Sequence, residues 1–306
     1  MVIKKLKSVI KQPEKIIVFI GKHTGIIPAR LYLKCYYKNV FGKRLDLKNP
    51  KTFNEKLQWL KLYNKNPKYT QLVDKYRVRD YVAERIGDEH LIPLLGVWDD
   101  PKDIDFDKLP NQFVLKCNHN SGIGMCICKD KSKLDVQKTK EELKKGLKQD
   151  FYLSGREWPY KGVPRKIICE KFMTDGGSEL ADYKIHNFNG VPKAVLVCRD
   201  RFKESGLTED FFDSEWKHLD VARTDHPNST EEISQPAVLD EMLELSEKLA
   251  ESIPFVRTDF YDVGGKVYFG EMTFYPASGF EKFVPDEYDS LFGEWLKIPI
   301  GGGGTY

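Results

Sequence analysis

The stretch from Arg257 to Thr273 sets the tightest limits on what this chain can fold into. Two apolar runs flank Gly264-Gly265, the pattern of a β-hairpin. Side chains alternate between the faces of a strand, so the length of the turn decides which residues meet. An odd loop sets Asp259 opposite Glu271 and Arg257 opposite Thr273, giving one face a cation, two carboxylates and a hydroxyl. A two-residue Gly264-Gly265 turn puts Asp259 and Glu271 on opposite faces. The odd loop is the expectation. Two carboxylates side by side repel unless a cation lies between them, and hard oxygen donors suit Mg²⁺, which takes substrate phosphates as further ligands. The bland alternative is a surface hairpin with solvated charges.

At 306 residues the chain can bury a sizeable core in two or three domains. A net charge of +3 carries no nucleic-acid signature. Cys35, Cys117, Cys126, Cys128, Cys169 and Cys198 lie mostly in apolar runs and lack zinc-ligand spacing, so they are read as free core thiols of a reducing cytosol. The longest apolar run near the start, Ile16 to Ile20, is too short to span a membrane. The first 48 residues are nevertheless basic: lysines and arginines from Lys4 to Lys48 face only Glu14 and Asp46. Interleaved apolar residues leave two readings, a solvated helix or a segment lying on an anionic membrane.

Thr52-Phe53-Asn54-Glu55 is a capping box that opens a helix ending near Asn64. A second helix is expected from Tyr69 to Ile86, with Asp74, Lys75, Arg77 and Arg79 on a solvated face. Phe113 to Cys117 is a strand carrying Lys116, followed by the polar loop Asn118 to Gly124 and a second strand. A helix covers Lys138 to Gln149, and Phe151 to Pro164 reads as an irregular mobile segment. The second half is strand-rich, with an amphipathic helix from Ala237 to Ser252. Gly301 to Gly304 reads as a flexible tail.

Lys116, beside a loop containing Ser121, Gly122 and Gly124, can set an ammonium and backbone N–H groups against a phosphate. The loop is neither a Walker A motif nor a dinucleotide fingerprint, and no protein-kinase signature occurs. The order of features is more telling. A strand lysine and glycine loop precede a strand ending Glu170-Lys171-Phe172, then Asp182-Tyr183-Lys184, then Arg257-x-Asp259 and Glu271-x-Thr273. That order resembles the ATP-grasp superfamily. Four runs, Lys51–Leu60, Val73–Tyr81, Phe113–Gly122 and Phe269–Pro276, resemble the TupA-like ATP-grasp proteins of bacterial polysaccharide loci, and the match covers roughly Asn49 to Pro299.

The resemblance implies an α+β ATP-grasp fold whose two subdomains clasp ATP behind a mostly helical N-terminal region. The expected division is 1–110 for the helical region, 111–172 for the small subdomain and 173–306 for the large one. By the same resemblance Lys116 would hold the α/β-phosphates with Lys75 a second cation near them, and Asn118 to Gly124, including Ser121 and Gly122, would cover the phosphates. Glu170 and the backbone of Lys171 and Met173 would meet adenine. Asp182 would take the ribose hydroxyls, and Lys184 would face the phosphates. Asp259 and Glu271 would ligate Mg²⁺, with Thr273 where many relatives carry Asn. Arg257 would stabilise the anionic intermediate. His119 either touches the γ-phosphate or is merely polar. Arg199 and Arg201 are candidate carboxylate clamps or surface ion pairs.

The implied chemistry is carboxylate activation by ATP followed by attack of an amine. The TupA likeness points to an amino-acid donor and a uronic-acid-containing surface polysaccharide or its precursor, in the cytoplasm or at the inner face of the membrane. Rival readings are a glycosyltransferase, a sugar kinase and a non-enzymatic scaffold. The Asp-x-Asp spacings at Asp103–Asp107 lie in a charged linker and give the glycosyltransferase little support.

Overall fold

The computed structural model describes residues 13–175, 180–200 and 206–299. Two helices, α1 (Pro13–His23) and α2 (Ala29–Phe41), pack as a hairpin around Val18, Tyr32, Leu33 and Tyr37, with Leu45 and Leu47 closing that small core. Helix α3 (Phe53–Tyr63) opens with the expected capping box: Thr52 Oγ1 accepts from Glu55 N, and the Glu55 carboxylate accepts from Thr52 N.

The helix expected from Tyr69 to Ile86 is instead two, α4 (Lys68–Leu72) and α5 (Val78–Ile86). The break has a local cause. Asp74 turns its carboxylate onto the N–H groups of Tyr76 and Arg77, offering the backbone a turn in place of the helical ladder. The buried carboxylate also accepts 2.7 Å from Asn118 Nδ2, so the turn is tied to a distant strand.

Strands β1 (Leu94–Trp98), β2 (Phe113–Cys117), β3 (Met125–Cys128) and, after helices α6 (Val136–Lys148) and α7 (Tyr152–Gly155), β4 (Ile167–Lys171) form an antiparallel sheet of order β1-β4-β2-β3. This sheet takes a strand from ahead of residue 110. One face packs on α6 through Phe113, Leu115, Cys169 and Leu143. Lys116 and Glu170 alternate onto the other.

The larger antiparallel sheet is built from β5 (Asp182–Phe188), β6 (Val191–Arg199), β7 (Thr208–Asp213) and, beyond the short β8 (Ala222–Arg223) and helix α8 (Leu239–Ala250), β9 (Phe255–Asp262) and β10 (Val267–Thr273). Its order is β10-β9-β5-β6-β7. Strand β11 (Phe283–Val284) pairs with β8, and helix α9 (Glu287–Trp295) closes the chain's described part. Helix α8 buries Met242, Leu245 and Leu249 on one face of this sheet. Phe53, Phe188, Phe255, Phe283 and Phe292 stack into a shared core at its far end.

Phe151 to Pro164 is packed rather than irregular and mobile. Arg156 is buried, donating to Gly21 O and Leu153 O with its guanidinium over the Tyr32 ring, and Glu157 is buried beside it. All six cysteines are free, and five of them are buried. The glycine tail and the N-terminal lysines up to Lys11 lie outside the described residues.

Candidate functional site

The hairpin that carries the candidate metal ligands reaches the expected pairing by an unexpected route. Gly264 and Gly265, both with positive φ, form the two-residue turn, closed by hydrogen bonds between Val263 and Lys266. The loop is therefore even, and the odd loop is corrected. A bulge at Gly270 supplies the missing residue. Phe269 pairs with Phe260, but Glu271 pairs with Asp259 and Thr273 with Arg257. A Cβ on Gly270 would lie 3.1 Å from Asp259 O and 3.2 Å from the Tyr261 ring, so the bulge suits glycine.

The neighbouring strand β5 sets Lys184 opposite Asp259 and Asp182 opposite Tyr261. One face of the large sheet thus gathers Asp182, Lys184, Arg257, Asp259, Glu271 and Thr273. Arg257 donates from Nε and Nη2 to the two oxygens of Asp259, 2.7 Å each, and Nη2 also reaches Glu271 Oε1 and Thr273 Oγ1 at 3.2 Å. Lys184 Nζ donates to Asp259 Oδ2 at 2.8 Å and to Asp182. Burial opposes the charges of Arg257 and Lys184, but the surrounding carboxylates outweigh it and hold both groups protonated. Asp182 goes the other way, because burial raises it more than Lys184 lowers it.

Glu271 is the open member, its side chain 33% exposed against 2% for Asp259. Burial pushes it up, yet Lys75, Arg257, Lys184 and Lys116 pull it well below the usual carboxylate range. Lys75 comes from the Asp74 turn. Its Nζ lies 3.3 Å from Glu271 Oε2 and donates 2.9 Å to Asn120 O, in the loop of the small sheet. Lys75 is therefore part of the site rather than of a solvated face.

On the small sheet, Lys116 Nζ is 2.6 Å from Glu170 Oε2, and Arg79 of α5 lies 3.7 Å from Glu170 Oε1. Lys116 is also close enough to Glu271 for its charge to favour the ionised carboxylate. Ser121 and Gly122 are exposed at the tip of the small-sheet loop, with open space around Gly122. Lys171 is exposed at the end of β4, and Met173 is half-buried just beyond it.

Two expected residues do not join. Arg199 alternates with Cys198, which neighbours Asp182, so it projects from the opposite face to Lys184. It donates to Ser229 Oγ and lies 3.9 Å from Glu231, so the carboxylate-clamp expectation is corrected. Arg201 lies outside the described residues. His119 is buried in the small unit with Nε2 3.2 Å from Gln149 O, and burial lowers its pKa to about 4, which makes it a packed neutral ring rather than a phosphate contact.

Sequence reasoning left Arg79 on a solvated face, named Asn120 only within the Asn118–Gly124 loop, and missed Glu157. Glu157, fastened by Ser278 Oγ at 2.6 Å and within electrostatic reach of Glu271 and Arg257, left no local signal.

The oxygen-only donor set fits a small hard cation. Among the described residues no three His, Cys, Asp or Glu side chains converge as metal ligands. Two carboxylates are the usual protein share for Mg²⁺ held together with phosphates. Glu271 is the accessible donor, while both oxygens of Asp259 are taken by Arg257 and Lys184.

A family model described as TupA-like ATPgrasp matches residues 55–297. No curated protein matches the chain. Among solved structures, the chain is similar to D-alanine–D-alanine ligase from Bacillus anthracis complexed with ATP, at 18% identity and TM-score 0.42, over 74% of this chain and 65% of that one. It is also similar to D-alanine–D-alanine ligase from Helicobacter pylori, at 14% identity and TM-score 0.42, over 82% and 70%. A third is the ATP-grasp ligase PsnB complexed with minimal precursor, Mg and ADP, at 10% identity and TM-score 0.39, over 80% and 66%. The chain spans just under two thirds of the length of the Bacillus anthracis enzyme.

Proposed function

Since the chain belongs to the TupA-like ATP-grasp family, we propose that it is an ATP-dependent carboxylate–amine ligase acting on a uronic-acid-containing surface polysaccharide or its precursor, with an amino acid as amine donor. The fold is the α+β ATP-grasp arrangement behind a helical N-terminal region, and ATP with Mg²⁺ is the cofactor pair of that family. With such an acceptor the enzyme would work in the cytoplasm or at the inner face of the membrane.

One observation carries the reading. Lys75, on the turn before α5, bonds a carbonyl of the small-sheet loop and the Glu271 carboxylate of the large sheet at once, while Arg257 and Lys184 of the large sheet hold Asp259 beside it. Phosphoryl transfer needs positioning and charge neutralisation more than covalent help from the protein. Lys116, Lys75 and Lys184 supply fixed positive charge where phosphates would lie. Glu271, with Asp259, would hold Mg²⁺, whose contribution when bound is to neutralise the β/γ oxygens. An oxygen of the acceptor carboxylate attacks the γ-phosphorus, the bond to the bridging oxygen breaks and ADP leaves. The amine then attacks the acyl carbon, phosphate departs and the amine's proton goes to solvent. Arg257 would bind the oxyanion of that second step by exchanging one of the hydrogen bonds it makes to Asp259, Glu271 or Thr273.

The test is ATP turnover with a panel of amino acids and uronic-acid sugars, products being read by mass spectrometry. ADP, phosphate and an amide are the expected products. ADP with a phosphosugar would replace the reading by a kinase, and UDP released from a sugar donor by a glycosyltransferase.

A further inference from the structure

The hairpin of α1 and α2 keeps an apolar surface in water. Phe19 is 67% exposed and Ile26, at the tip, 76%, with Leu31 exposed beyond it. Phe19 in the second half of α1, Ile26 in the connection and Leu31 in the first turn of α2 follow one another through the tip half of the hairpin, and a run of exposed large apolar side chains of this kind is a candidate interaction surface. On α1, Lys15, Phe19 and Lys22 recur at helical spacing, so charge and apolar surface share a face. On α2, Arg30 and Lys34 continue the charge past the tip. Glu14 is the one acid in residues 1–45, and it is occupied by Lys38 at the opposite end of the hairpin. The residues before Pro13 add Lys4, Lys5, Lys7 and Lys11 and no acid.

The surface is rigidly mounted. Tyr32 Oη donates 2.6 Å to Ser154 O, and Arg156 donates 2.8 Å to Gly21 O, so buried groups of the main body hold both helices. Among the described residues no helix is long and apolar enough to cross a membrane. Cations interleaved with a few protruding apolar side chains, and no acid among them, match a negatively charged bilayer surface: the apolar groups enter the acyl boundary while the lysines and arginines stay at the headgroups.

We propose that the α1–α2 tip, around Phe19 and Ile26, docks the protein on an anionic lipid bilayer. This deepens the location proposed above and uses none of the ligase residues.

The test uses the whole chain with vesicles of phosphatidylcholine alone or mixed with phosphatidylglycerol, separated by sedimentation. Binding is expected only to the anionic vesicles, and to weaken with salt. The double variant Phe19→Ser, Ile26→Ser should lower the partition coefficient by roughly tenfold or more. Lys22→Glu with Arg30→Glu should lower it by at least roughly fivefold for each cation lost. Both variants change exposed side chains, and an unaltered thermal melt confirms the fold. Equal binding to neutral vesicles, an unchanged partition of the double variant, or no vesicle binding at all overturns the proposal. So does a concentration-dependent dimer that the double variant abolishes, which would assign the tip to a second copy of the chain. Vesicle binding needs no turnover, so its outcome is separate from that of the ligase reading.

Discussion

The ammonium of Lys75 lies 3.3 Å from Oε2 of Glu271, although the first belongs to a turn latched onto the small sheet and the second to an edge strand of the large one. Lys75 N donates to Asn118 O and its Nζ to Asn120 O, so the lysine is fixed at both ends. Closing or opening of the two sheets would therefore be felt at Glu271, the one carboxylate of the cluster with a third of its side chain exposed.

Glu271→Gln removes the accessible oxygen charge and leaves Lys75 and Arg257 in excess. If Glu271 anchors the metal, ATP-dependent turnover should fall by about 10³-fold, several kcal/mol of transition-state stabilisation being lost. Affinity for ATP without Mg²⁺ should hold or rise, because one repelling carboxylate is gone. Calorimetry with and without the metal reads both effects. Full turnover in the variant would remove Glu271 from the site.

Arg257 grips Asp259 through two parallel hydrogen bonds, so an alanine there does more than delete an oxyanion donor. It leaves a nearly buried carboxylate with Lys184 as its remaining cation, and breaking such a pair costs about 3–5 kcal/mol of stability. Arg257→Lys separates the effects by keeping the charge and losing the fork. Expected are near-normal Mg-ATP binding and amide formation slower by about 10²–10³-fold. Product formation at the wild-type rate would show that the guanidinium serves Asp259 alone.

Lys116→Met tests the other sheet. Its loss leaves the buried Glu170 with Arg79 at 3.7 Å as its remaining cation, so the thermal melt should fall as well, and ATP affinity is read well below the melt, where the variant is folded. The variant loses a charge-assisted bond to phosphate worth about 1.5–3 kcal/mol, which weakens ATP binding by roughly tenfold or more. Unchanged affinity would confine Lys116 to a structural pair with Glu170.

What the sequence made legible was local. The capping box at Thr52 and Glu55 acts within four residues of itself, and it formed as expected, while the two-glycine turn formed in place of the expected odd loop. The register of the metal hairpin was not legible for the right reason. The bulge at Gly270 depends on the Asp259 carbonyl and Tyr261 ring of the partner strand, which no spacing within β10 encodes. The burial of Arg156 depends likewise on Gly21 and Tyr32, far away in the chain, whereas the break at Asp74 is made locally by its own carboxylate and then tied to Asn118. Arg199 failed for a simpler reason. Its face follows from strand parity, and the parity of β6 is set by pairing with β5 rather than by composition.

The same face of the large sheet carries a pH signature apart from the catalytic groups. His186 neighbours Arg257 on the sheet, its ring buried beside Phe211 and Phe255 with Nδ1 3.1 Å from Lys184 O. Burial, helped by Arg257, lowers its pKa to about 3, whereas the unfolded chain titrates near the ordinary value of 6.5. The unfolded state therefore binds the proton first as pH falls. The contribution is fully present above pH 6.5 and declines toward the folded value, at up to about 1.4 kcal/mol per pH unit. Arg223 and Lys184 add further positive charge near the ring, and the Lys184 carbonyl bonded to Nδ1 offsets this only in part. Urea unfolding of wild type and His186→Gln, compared at steps between pH 7 and pH 4, isolates this ring. Other acid-sensitive groups cancel in the difference, and a uniform packing cost shifts the curves without changing their slopes. The variant should lose stability less steeply below pH 6.5. Parallel curves for the two proteins would mean that His186 takes up its proton in the folded state as readily as in the unfolded one.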